Sequence, residues 1–134
     1  MKLTIHTDGG ARGNPGPAAI GVVIDGVASF GKKIGETTNN VAEYTAIIEA
    51  LRYLRDEQGK MLEDKDKYIQ FFLDSLLVVN QLKGLFKVKD ARLRELLMSI
   101  RVLEGEIGGT ITYAHVPREQ NKEADLEVNK ALDS

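Results

Sequence analysis

At Asn39 the hydrophobic period of the chain changes, and that switch limits the fold more than any other feature. Upstream, Leu3, Ile5 and Thr7 alternate with Thr4, His6 and Asp8, a period of two that reads as a strand. A loop rich in glycine and proline follows, then a second strand at 18–24 ("AAIGVVI"), a turn at Gly26 and a third strand at 28–34. The short connections imply an antiparallel meander. Downstream, Val41, Tyr44, Ile47, Ile48, Leu51 and Leu54 recur at helical spacing, with Asn40 as the expected cap.

This first helix is expected to run to Gly59, and "KMLEDKDK" reads as a solvated connection. Residues 68–73 ("YIQFFL") form a near-continuous apolar run bounded by Asp74, the pattern of a buried central strand. A short helix is expected over 75–82, ended by Gly84, and then an extended or loop segment, "LFKVKD". Leu93, Leu96, Leu97, Ile100 and Leu103 mark an amphipathic helix stopped by Gly108 and Gly109. A last strand spans 110–116, Pro117 breaks it, and Asn121 caps a final helix through Leu132. Parallel strands need crossover connections, so this order implies a mixed sheet with helices packed on it. A length of 134 residues suits one domain, 1–134.

Composition narrows the chemistry. With 43% apolar and 28% charged residues the chain is an ordinary soluble globular protein. It has no cysteine, so a metal must be held by oxygen or by the two histidines. No apolar signal core and no bilayer-length stretch are present, so a cytoplasmic location without membrane contact is expected. A formal net charge of −2 argues against gripping nucleic acid by bulk electrostatics alone. Cations held by carboxylates would invert the sign of the field locally.

Four acids invite both a structural and a chemical reading. Asp8 ends the first strand before glycines, where an Asx turn would satisfy backbone N–H groups. Glu43 stands three residues after Asn40, the position of a capping box. Asp74, between a strand and a helix, reads as an N-cap. Asp125 lies one residue beyond the usual capping contacts of Asn121, so only the helix dipole favours it. Strand and helix ends of this kind can converge at one edge of an α/β sheet. Clustered carboxylates repel one another, and Mg²⁺ or Mn²⁺ is the apt counter-charge.

Four blocks in order, "TDGGARGNPGP", "TTNNVAEYTAIIEAL", "FFLDSLLVVNQLKG" and "HVPREQNKEAD", resemble the signature blocks of the ribonuclease H type 1 family, within the ribonuclease H-like superfamily. The resemblance covers nearly the whole chain. It implies an α/β fold: a five-stranded mixed sheet of order 3-2-1-4-5, its first three strands antiparallel, with helices on both faces. It also implies a hydrolase, an endonuclease that cuts the RNA strand of RNA–DNA hybrids and leaves 5′-phosphate and 3′-hydroxyl ends. Asp8, Glu43, Asp74 and Asp125 match the family's catalytic, metal-binding carboxylates. Two Mg²⁺ ions, with Mn²⁺ as substitute, would serve a two-metal mechanism, with Asp8 bridging, Glu43 and Asp74 on one ion and Asp125 on the other.

By the same resemblance Gly9, Gly10, Asn14, Asn39, Asn40 and Ser75 fall at substrate-binding positions. Side-chain amides can both donate to and accept from a 2′-hydroxyl. Lys87 and Lys89 stand where larger members carry a basic, tryptophan-bearing protrusion, and this chain has no tryptophan. They are read as a reduced phosphate contact or a solvated loop. Leu76 replaces a polar residue that reaches the minor groove in well-known members. His115 matches a mobile histidine of the family but sits at a strand end, and Arg118 is an alternative cation for the scissile phosphate. Two other functions compete: a catalytically weak or inactive nucleic-acid-binding module, and a nuclease of broader choice that also cuts double-stranded RNA. No obligate protein partner is implied, and a monomer is expected.

Overall fold

The computed structural model describes residues 1–57, 59 and 63–134. Five strands form one sheet: β1 (Lys2–Ala11), β2 (Gly16–Ile24), β3 (Ala28–Thr37), β4 (Tyr68–Leu73) and β5 (Thr110–His115). Their order is β3-β2-β1-β4-β5. β1 with β2 and β2 with β3 run antiparallel, whereas β4 runs parallel to both β1 and β5. The mixed sheet of order 3-2-1-4-5 is thus the one expected. Four helices accompany it among the described residues: α1 (Asn39–Glu57), α2 (Leu76–Leu82), α3 (Ala91–Ile107) and α4 (Lys122–Asp133). The expected helix end at Gly59 and the start of the "KMLEDKDK" connection touch residues 58 and 60–62, outside the described set.

α1 lies over β1 and β2, with α3 packed on α1, while α4 covers β1, β2 and β3. Neighbouring glycines of β1 show that these are opposite faces. A Cβ on Gly9 would run into the backbone of Ala42 in α1, and one on Gly10 would point at Val128 in α4. The core between sheet and α1 is aliphatic and aromatic, with Ile5, Ile20, Val22, Tyr44, Ile47, Leu51, Ile69 and Phe71 fully buried. Each such side chain contributes about 1.5–3 kcal/mol on removal from water. Tyr44 also donates its hydroxyl to Gln81 Oε1 at 2.6 Å, fastening α1 to α2 within that core.

β1 is longer than its alternation suggests. Gly9, Gly10 and Ala11 continue to pair with Ile20, Ala19 and Ala18, so the loop shrinks to residues 12–15 and Asp8 lies inside the strand rather than at its end. Of the glycines that resemble turn signals, Gly9 instead lets α1 approach the strand closely. Gly21 in β2 does the same for α4, since a Cβ there would collide with the Ala124 carbonyl.

Candidate active site

Asp8 and Asp74 come from neighbouring parallel strands. His6 pairs with Phe72, and two further residues along each chain the register reaches Asp8 and Asp74. In a parallel pair, residues at one level project to the same side. Glu43 reaches the same place from α1, because Gly9 leaves room for the helix backbone. Its Oε1 accepts the Gly9 N–H at 3.2 Å. Carboxylate oxygens of Asp8, Glu43 and Asp74 all lie within 4.8 Å of one another. Asp125, one turn into α4, lines the same cleft, which has a volume of about 510 Å³.

The capping explanations for Glu43 and Asp74 fall away. The cap of α1 is Thr38, not Asn40: its Oγ1 accepts from Val41 N at 3.3 Å and its carbonyl from Ala42 N at 3.1 Å. β3 runs to Thr37 and the helix begins at Asn39, so Glu43 is too far along to complete a capping box. Asp74 is not the cap of α2 either, because Ser75 Oγ accepts from Val78 N. Asn121 stands at the N-cap of α4 without a side-chain cap bond. Its buried amide donates to the Thr7 carbonyl at 2.9 Å and pins α4 to β1 beside Asp8.

Electrostatics mark the cluster as strained without a cation. Burial, followed by the negative charge of Asp74, pushes the Asp8 carboxyl up to about 7 from its ordinary 3.8, and Asp125 adds to the push. Glu43 is raised well above the usual carboxylate range, first by burial and then by Asp8. Glu43 Oε1 takes the Gly9 N–H, whereas Glu43 Oε2 is buried with no partner. An all-oxygen donor set with an orphaned carboxylate oxygen fits a hard divalent cation. The residues therefore suit the metal that their types suggest.

The other expected residues divide. Gly9, Gly10, Asn39, Asn40, Ser75 and Arg118 line the cleft. Asn14 does not line it but orders its rim: its Oδ1 accepts from Asn39 N at 3.0 Å, while Asn39 Oδ1 accepts from Ala11 N at 2.9 Å. Lys87 and Lys89 are exposed on either side of Val88, which packs against the core, and they stand outside the cleft lining. His115 is exposed at the end of β5 and also lies outside it. Arg12 and Asn129 line the cleft and were not anticipated. Arg12 was legible as the lone cation of "GGARGNPGP", whereas Asn129 gave no signal.

No helix among the described residues is long and apolar enough to cross a membrane. A family model described as RNase H matches residues 1–133. The bifunctional protein Rv2228c of Mycobacterium tuberculosis is 38% identical over 140 residues, covering 100% of this chain and 36% of that protein. Ribonuclease HI of Halobacterium salinarum is 43% identical over 138 residues, covering 98% and 65%. The chain thus spans about a third of the mycobacterial relative and just under two thirds of the archaeal one. Among solved structures, LC11-RNase H1 in complex with an RNA/DNA hybrid superposes with a TM-score of 0.91 at 43% identity, covering 98% of this chain and 96% of that one.

Proposed function

Because the chain belongs to the RNase H family, we propose that it is an endonuclease that hydrolyses the RNA strand of RNA–DNA hybrids, with two Mg²⁺ ions or Mn²⁺ in their place, leaving 5′-phosphate and 3′-hydroxyl ends. The observation that carries this reading is the convergence of Asp8, Glu43 and Asp74 within one 4.8 Å constellation, with Asp125 in the same cleft. A relative 43% identical to this chain that has been crystallised on an RNA/DNA hybrid supports the substrate class.

Asp8, Glu43 and Asp74, with Asp125 in the same cleft, would hold the divalent cations, and Asp8 faces each of the other three acids. Bound divalent cations supply Lewis-acid stabilisation for the attacking and leaving oxygens of the phosphodiester. The chain itself supplies rigidity: Gly9 N–H fixes Glu43, and Asn121 fixes the start of the helix that carries Asp125. Asn39 and Asn40 project from the first turn of α1 into the cleft, where amides can read a 2′-hydroxyl. Arg118, in the 3₁₀ turn Arg118–Gln120, offers a cation at the same cleft, and this favours it over His115 for the scissile phosphate.

Cleavage of an end-labelled RNA strand paired with DNA, beside duplex RNA and duplex DNA, tests the proposal. Hybrid-selective cutting that requires Mg²⁺ or Mn²⁺ is expected. Binding of hybrid without cutting would move the chain to the inactive module, and equal cutting of duplex RNA to the broader nuclease.

A further inference from the structure

The acids account for one part of the cleft only. Where it continues along β1 towards α4, its lining includes Arg12, Asn129 and Leu132, and its cations among the described residues are Arg12 and Arg118. The Arg12 guanidinium is engaged: Nη1 lies 2.7 Å from Asp133 Oδ1, and Nη2 donates to Asn129 Oδ1 at 3.3 Å. Both partners belong to α4, 117 or more residues away in sequence.

This pair is a poor structural tie. The Arg12 and Asp133 side chains are 49% and 66% exposed, and surface pairs of that kind contribute little to stability. Its guanidinium keeps further N–H donors unspent, in the fork geometry that suits phosphate oxygens. A polyanion entering a cleft of four carboxylates needs cations along its path, and Arg12 provides one beyond the reacting centre. It stands four positions beyond Asp8, just past the end of β1, roughly 13 Å along the chain at the usual rise. That distance puts it out of reach of a phosphate held at the acids.

Resting on the nuclease reading above, we infer that Arg12 is a second phosphate contact, held in reserve by Asp133. In the free protein Asp133 neutralises and orients it. When substrate arrives, a phosphate away from the scissile one displaces the carboxylate and takes over the guanidinium. Arg12 then sets affinity and placement of the hybrid and leaves the chemical step to the acids.

Steady-state cleavage of one labelled hybrid across a series of KCl concentrations tests this with Arg12→Gln, Asp133→Asn and the double variant, each also melted thermally. Arg12→Gln is expected to raise KM about three- to tenfold with kcat held within about twofold. The slope of log KM against log[KCl] should fall by about 0.7–0.9, the loss of one phosphate contact. Asp133→Asn should lower KM, and that gain should vanish when Arg12 is already glutamine. A pair that merely pins α4 predicts otherwise: both single variants would raise KM together, lower the melting temperature and leave the salt slope alone, and that pattern would overturn the inference. Wild-type cleavage with an unchanged KM and slope in Arg12→Gln would overturn it alone. Wild-type protein that cuts no hybrid would overturn the nuclease reading and this inference with it.

Discussion

The N–H of Gly9 meets Glu43 Oε1 at 3.2 Å, and the absence of a side chain on Gly9 is what lets α1 come close enough for that bond to form. A strand residue with no chemistry of its own therefore places an acid carried by a helix 34 residues later.

Gly9→Ala tests that placement. The new methyl meets the backbone of Ala42 and Glu43, which cannot rotate away as a side chain would. We expect a loss of about 1–3 kcal/mol in urea unfolding. Displacement of Glu43 should cut the cleavage rate about a hundredfold. A fully active, equally stable variant would show that α1 can shift freely and that the Gly9 contact positions nothing.

Asp8→Asn separates chemistry from folding. Cleavage should fall about a thousandfold or more, the scale of several kcal/mol of lost charge stabilisation. The same change removes a buried negative charge from beside Asp74, so in chelator at pH 8 the variant should melt higher than the wild type. Retained cleavage would remove Asp8 from the mechanism, and a lower melting temperature would contradict the electrostatic account.

The pH dependence has a definite sign. Folding raises the Asp8 carboxyl to about 7 and raises Glu43 as well, so the folded state favours their protonated forms. The Asp8 contribution to stability is complete below about pH 4 and is lost as pH rises through about 7, and the Glu43 contribution is lost in the same direction. For Asp8 the loss reaches about 4 kcal/mol at most. Chelated protein should unfold progressively more easily over that window, and millimolar Mg²⁺ should remove most of the slope. Parallel melting curves with and without Mg²⁺ at every pH would contradict a metal held by these acids.

Thr38 and Asn40 should respond in opposite ways. Thr38→Ala loses the cap of α1 and should cost about 1 kcal/mol of stability. Asn40 is exposed and caps nothing, so Asn40→Ala should stay within about 0.5 kcal/mol. Its amide faces the cleft, and its removal should raise KM for a hybrid about threefold to tenfold. The reverse pattern in melting and kinetics would return Asn40 to a structural role.

How far the sequence spoke for the structure depended on the range of the forces involved. Periodicity placed the strands and helices, because alternation and helical spacing report local burial directly. Helix starts were less legible. β3 reaches Thr37 by pairing with Gly16, and that long-range pairing moved the cap from Asn40 to Thr38. Ser75 displaced Asp74 as the cap of α2, because β4 ends at Leu73 with the apolar run but the helix begins only at Leu76. Gly9 and Gly10 read as turn residues because glycine frees the backbone, yet both pair within β1, and Gly9 serves the close packing of α1. The acids were legible as types at suggestive places, but their convergence depends on register between β1 and β4. Asn129 escaped notice because its contact with Arg12 joins opposite ends of the chain.

The scattering of the four acids over β1, α1, the end of β4 and α4 has a consequence for how activity arises during synthesis. A chain emerging from a ribosome exposes Asp8, Glu43 and Asp74 well before Asp125, and α4 must still dock through Asn121 before the fourth acid meets the others. On the reading proposed above, a nascent chain holds an incomplete acid set, and cuts no hybrid, until α4 is in place.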